Sequence, residues 1–144
     1  MYQLEPDPTS GVISLTATGS TPVELIQTAL QGLLVVLRGE MPTGSDEGTA
    51  AVPFRGQGSG LGPLFLDLAE DMIGQVEEFG AGLDEVRLDG LLRTDTGGFT
   101  AWGYLSGDPG RQDAVPRPLT LTEPVIVENG DRLRLTCELF PASG

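Results

Sequence analysis

The chain has 144 residues, 39% of them hydrophobic and 20% charged. That length and apolar content suit one domain spanning 1–144 with a buried core, and they exclude a disordered chain. The formal net charge is −13 and the arginines are scattered, so the chain has no electrostatic footprint for a phosphate backbone and the expectation is no tight direct binding of nucleic acid.

Such a charge favours a basic protein surface or a cation instead. No histidine is present, which removes the commonest general base, the Ser-His and Cys-His pairs and the usual zinc sites. Cys137 is the single cysteine, so no internal disulfide can form. It alternates with Leu135 and Leu139 on an apolar side and reads as a small buried hydrophobe. The first residues show no basic and apolar segments of a signal peptide, and no run approaches the roughly 20 residues of a membrane span. The expectation is a cytoplasmic protein that does not engage a membrane.

Residues 1–10 are polar and proline-rich and read as a lead-in. Ile13, Leu15 and Ala17 then alternate with Ser14, Thr16 and Thr18, the pattern of a half-buried strand. Gly19 permits a sharp turn. Thr21 is placed as the N-cap, Pro22 as the first helical residue and Glu24 as the third, a capping box. Leu25, Ile26, Ala29, Leu30, Leu33, Leu34 and Leu37 follow at helical spacing, with Gln27, Thr28, Gln31 and Arg38 on the other face. Gly39 suits a left-handed cap, and 41–48 reads as a loop.

Residues 49–55 form a strand with Val52 and Phe54 on one side. Pro53 cannot donate to a ladder, which puts this strand at an edge or a bulge. Gly56, Gly58, Gly60 and Gly62 come next, where a phosphate-binding loop would lie. There is no Gly-Lys-Ser/Thr and the strand before it holds a proline, so the stretch reads as a strand–helix connection. A second helix carries Leu61, Leu64, Phe65, Leu68, Met72, Val76 and Phe79 as its stripe, with Pro63 near its start and Gly80 past its end. Glu70, Asp71, Glu77 and Glu78 form a solvated face, and Asp67 lies close to the stripe.

The remainder reads as strands. Val86, Leu88 and Leu92 alternate with Arg87, Asp89 and Arg93, and Asp95 to Gly98 make a turn. Phe99 to Ser106 sets Trp102 and Tyr104 on one face, as a cross-strand aromatic pair or a stacking platform for a base. A polar loop spans 107–118. Leu119 to Val127 and Asp131 to Leu139 form a hairpin across Asn129-Gly130. The fold class is α+β, with two amphipathic helices packed on one face of a largely antiparallel sheet of about six strands. With Asn129-Gly130 as the turn, Glu123 faces Thr136 and lies diagonal to Arg134 and Glu138. That allows either a surface salt bridge or a hard-cation site built on Glu123 and Glu138.

From about Gly11 to Phe140 the chain resembles the archease family. Thr16 to Leu25 resembles that family's strand, turn and capping box. Gln27 to Leu34 resembles its first helix, and Leu64-Phe65-Leu66-Asp67-Leu68 its second. Gly107-Asp108-Pro109 is similar to the loop before its final hairpin. The resemblance implies an archease-like fold and an accessory role rather than an enzyme. Archeases promote guanylylation and turnover of an RNA-splicing ligase, using a metal ion held by acidic residues. It places a metal-ligating acid at Glu138 and a family histidine at Glu123. It aligns the family's amino-terminal His-Thr-Ala-Asp motif with Thr9 to Val12, so the key Asp is Val12, with Asp7 a substitute from the lead-in. The expected partner is a protein, an RNA-splicing ligase. The expected cofactor is a weakly held calcium or manganese ion on Glu138, Glu123 and Asp7. The alternative is an interaction module that kept the fold and lost the metal chemistry.

Overall fold

Two antiparallel sheets share one pair of helices. The computed structural model describes residues 1–38, 50–79, 83–107 and 119–141. The elements in order are β1 (Tyr2–Pro6), β2 (Ile13–Gly19), α1 (Pro22–Arg38), β3 (Ala50–Gly58), α2 (Leu61–Phe79), β4 (Leu83–Arg93), β5 (Phe99–Gly107), β6 (Leu119–Leu121), β7 (Val125–Asn129) and β8 (Arg132–Pro141). The larger sheet has the order β1-β2-β8-β6, with β7 also on β8; the smaller is β3-β5-β4. The α+β class is therefore as expected, with the strands divided between two sheets.

The segment read as a lead-in is a strand. Tyr2, Leu4 and Pro6 alternate with Gln3 and Glu5, and the run pairs with β2 from Tyr2 opposite Ala17 to Pro6 opposite Ile13. Its prolines obscured a period-two pattern, and an edge strand tolerates proline. The strand with Pro53 is likewise an edge, since β3 pairs only with β5.

The first helix begins as its sequence predicts. Thr21 Oγ1 accepts from the Glu24 N–H at 3.1 Å, and the Thr21 carbonyl accepts from Leu25. The Glu24 carboxylate closes the box one residue earlier than expected, on the N–H and hydroxyl of Ser20. The apolar stripe of α1 is buried throughout and packs on β2 and β4, while α2 packs on β3 and β5. Leu15, Ala17, Leu135, Cys137 and Leu139 point in from the larger sheet, and Val52, Phe54, Val86, Leu88, Ala101 and Leu105 from the smaller, into one core.

The glycines before α2 are not a loose connection. Gly56 and Gly58 belong to β3. A Cβ on Gly56 would lie 2.8 Å from the Leu68 backbone nitrogen, and one on Gly58 would run into that of Leu64. Their lack of a side chain lets helix backbone lie directly on strand backbone.

The final hairpin turns one residue later than expected. Asn129 pairs with Arg132, so Gly130-Asp131 is the two-residue loop. Only Gly130 has positive φ, at 68°, the II′ arrangement with glycine first. The register moves by two residues, so every side chain keeps its face. The expected Gly39 and Gly80 caps and the loops at 41–48 and 108–118 lie outside the described residues.

Candidate functional site

Of the acids singled out by sequence, Glu138 and Glu123 lie toward one end of the exposed face of the larger sheet, and Asp7 stands apart from them. Ser14 of β2 pairs with Glu138 of β8 on one side and with Glu5 of β1 on the other. Glu5 and Glu138 are exposed, one strand apart across Ser14. Glu123 nears the same row through the β7–β8 register, beside a bulge. Leu121 pairs with Leu139 and Val125 with Thr136, so Thr122 to Pro124 oppose Cys137 and Glu138, one residue more than their partners. Pro124 is buried like Cys137, which sets Thr122 and Glu123 against Glu138. Thr122 Oγ1 accepts from the Glu138 N–H at 2.9 Å, and the Glu138 carbonyl accepts from the Thr122 N–H. The two-residue register shift of the hairpin thus carries Glu123 toward Glu138, where the expected register had it opposite Thr136.

Asp7 lies farther off. Its N–H donates to the Val12 carbonyl, continuing the β1–β2 ladder, so Asp7 stands opposite Val12. Both of its carboxylate oxygens serve its own turn. Oδ1 accepts from the Thr9 N–H and Oδ2 from the Ser10 hydroxyl, each at 2.9 Å. These bonds, the Thr9 N–H foremost, hold Asp7 below the usual carboxylate range. Among the described residues no three acidic, cysteine or histidine side chains converge as metal ligands. Glu5 was missed in the sequence because it lay in the supposed lead-in; the Tyr2-Gln3-Leu4-Glu5 alternation was the signal that could have found it.

The acids of α2 have a different duty. Asp67 Oδ2 accepts from the Gln57 N–H at 2.8 Å, and Asp71 Oδ2 from the Arg55 N–H at 2.9 Å. The two carboxylates, one helical turn apart, seal the free edge of β3. On the opposite edge Gln27 and Gln31 of α1 do the same for β4: their Oε1 atoms accept from Leu88 and Val86 at 2.8 and 2.9 Å. Asp71 is therefore not merely part of a solvated face. An open cleft of about 650 Å³ runs between β3 and α2, lined by Arg55, Gln57, Asp67, Glu70, Asp71 and Thr100.

Trp102 and Tyr104 occupy the outer face of the smaller sheet, 38% and 41% exposed. The indole lies over Gly90 of β4 so closely that a Cβ there would overlap its ring. Arg55 and Pro53 pair with Trp102 and Tyr104 on one side, and Arg87 pairs with Tyr104 on the other. The aromatic rings thus cover sheet backbone.

No family profile and no curated protein sequence matches this chain. In three dimensions it is similar to protein 1598 of Methanobacterium thermoautotrophicum. That solution structure matches with a TM-score of 0.66 at 12% identity, covering 96% of this chain and 97% of the other. The likeness shows a shared fold along nearly the whole length. Among the described residues, no helix is long and apolar enough to cross a membrane.

Proposed function

We propose that the chain is an archease-like accessory protein that promotes guanylylation and turnover of an RNA-splicing ligase, with an altered metal site. The observation that supports this reading is the place of Glu138. The resemblance assigns a metal-ligating acid to that position. In the fold it lies on an exposed sheet face, with Glu123 carried toward it by the hairpin register and Glu5 beyond Ser14. Carboxylates there can hold a hard cation through oxygen, with water completing the shell. Asp7 and Val12 stand opposite each other two residues farther along the strands from Glu5 and Ser14. With the Asp7 carboxylate engaged in its own turn, Glu138 and Glu123 supply the principal ligands, and affinity is on the order of 10⁻⁴–10⁻³ M.

The test is to add the protein to a purified RNA-splicing ligase with GTP and manganese, and to follow the ligase–guanylate adduct and repeated RNA joining. Stimulation by the native protein that falls at least tenfold in Glu138→Gln is the expected result. Absence of stimulation would favour the second reading, an interaction module without metal chemistry. That reading rests on Val12, which offers no ligand where the family has its key Asp.

A further inference from the structure

The exposed face of the larger sheet is bipolar. Thr16 of β2 pairs with Gln3 of β1 and with Thr136 of β8, and Thr136 pairs with Val125 of β7. This uncharged row is a waist. On one side lies the row of Glu5, Ser14 and Glu138, with Phe140 two residues farther along β8. On the other lies Arg134 paired with Val127, then Arg132 paired with Asn129. Acids and arginines are thus segregated to opposite ends of one strand, β8. Exposed apolar side chains lie among them: Val125 at 61%, Val127 at 43% and Phe140 at 38%. Helix α1 packs on the other face, against β2 and β8, and α2 meets that sheet at β7.

We infer that this face is self-complementary and pairs two copies of the chain about a two-fold axis along the Gln3–Thr16–Thr136–Val125 row. Such an axis lays each strand over its own copy and exchanges the strand ends. Glu138 then stands over Arg134 of the other copy, Phe140 over Arg132, and Val125 meets Val125. Each contact occurs twice, as a closed two-fold interface requires. An axis along the strands would set acid on acid and arginine on arginine, which like-charge repulsion disfavours. The occupant of the face is therefore a second copy, selected by charge order along β8. Four strands at about 4.8 Å spacing and about seven residues of length project roughly 450 Å² per copy. That is the low end for a specific interface, so the dimer is weak. The proposal stands apart from the ligase reading, because its readout is mass rather than activity.

Two chains of net charge −13 also repel at long range, so salt alone is an ambiguous probe. Charge reversal is not. Sedimentation velocity, carried up to millimolar chain, should show a monomer–dimer equilibrium for the native protein. Arg134→Glu alone should be monomeric, and so should Glu138→Arg alone. An equimolar mixture of the two should dimerise, since both contacts between positions 134 and 138 across that heterodimer again join opposite charges. A native protein that stays monomeric throughout would overturn the proposal. So would single variants that dimerise like the native chain, or a mixture that stays monomeric. If either variant loses its far-ultraviolet circular dichroism, Val125→Lys on the waist replaces it, and a dimer undiminished by that change overturns the proposal as well.

Discussion

Thr21 starts the first helix through a single hydroxyl oxygen, and removing it has a calculable effect. Thr21→Ala leaves the Glu24 N–H to water, and the denaturation midpoint should fall by an amount equivalent to about 0.5–2 kcal/mol. Cys137 gives a test of opposite character. Burial pushes its thiol from the usual value of 9.0 up to about 11. Between those values the unfolded chain releases a proton that the folded chain keeps, so stability falls as pH rises from about 9 to 11. The midpoint measured at pH 8 and pH 10.5 should drop more for the native protein than for Cys137→Ala. A thiol reagent at pH 8 should label the native chain only as fast as it unfolds. Cys137 was legible from its place between Leu135 and Leu139 because a period-two pattern fixes the face of every residue. Asp67 was legible only as a polar side chain near the stripe. Its partner, the Gln57 N–H, belongs to a backbone group ten residues earlier, and no side-chain pattern encodes where an unpaired amide will lie.

At the level of elements, the smaller sheet is closed at both borders by helical side chains. Asp67 and Asp71 cap β3, and Gln27 and Gln31 cap β4. Each such bond contributes about 0.5–1.5 kcal/mol. The larger effect of removing a pair is to uncover strand amides that can template another chain. Asp67→Ala with Asp71→Ala should leave circular dichroism native while light scattering on warming begins several degrees earlier. Gly58→Ala tests the contact between β3 and α2. Its new methyl would strike the Leu64 backbone, and overpacking of this kind costs about 1–3 kcal/mol, read from a urea midpoint. The elements themselves were unevenly legible. In α1, cap, periodicity and length agreed, so sequence and structure coincide. β1 was hidden because prolines mimic a loop. The turn of β7–β8 slipped because Asn129-Gly130 suggests positive φ at both positions, while the chain places only Gly130 there. The bulge at Glu123 had Pro124 as its sequence sign, since a proline breaks a ladder it cannot join.

For the molecule as a whole, the charge sets what it can approach. Arg132 and Arg134 lie on the larger sheet and Arg55 and Arg87 on the smaller, with acids on α2, β4, β7 and β8 among them. An anisotropy titration with single-stranded RNA at physiological salt should show no binding tighter than the non-specific range of about 10⁻⁴–10⁻⁶ M. Submicromolar binding without metal would contradict that expectation. The net charge was readable at once, because composition needs no geometry. The division into two sheets was not, because strand partners are chosen over long separations that local patterns do not carry.

One of those partnerships governs how the molecule comes into being. Ile13 pairs with Leu139 and Gly19 with Leu133, so β2 leaves a ribosome more than a hundred residues before its neighbour β8. Until β8 emerges, β2 has only the short β1 beside it, and α1 has half a floor to rest on. The hairpin of β4 and β5, closed by the turn at Thr94–Gly98, needs no such wait. Assembly during synthesis should therefore begin in the middle of the chain and finish by stitching its two ends together, with the closing step slowed by the length of the loop it must gather.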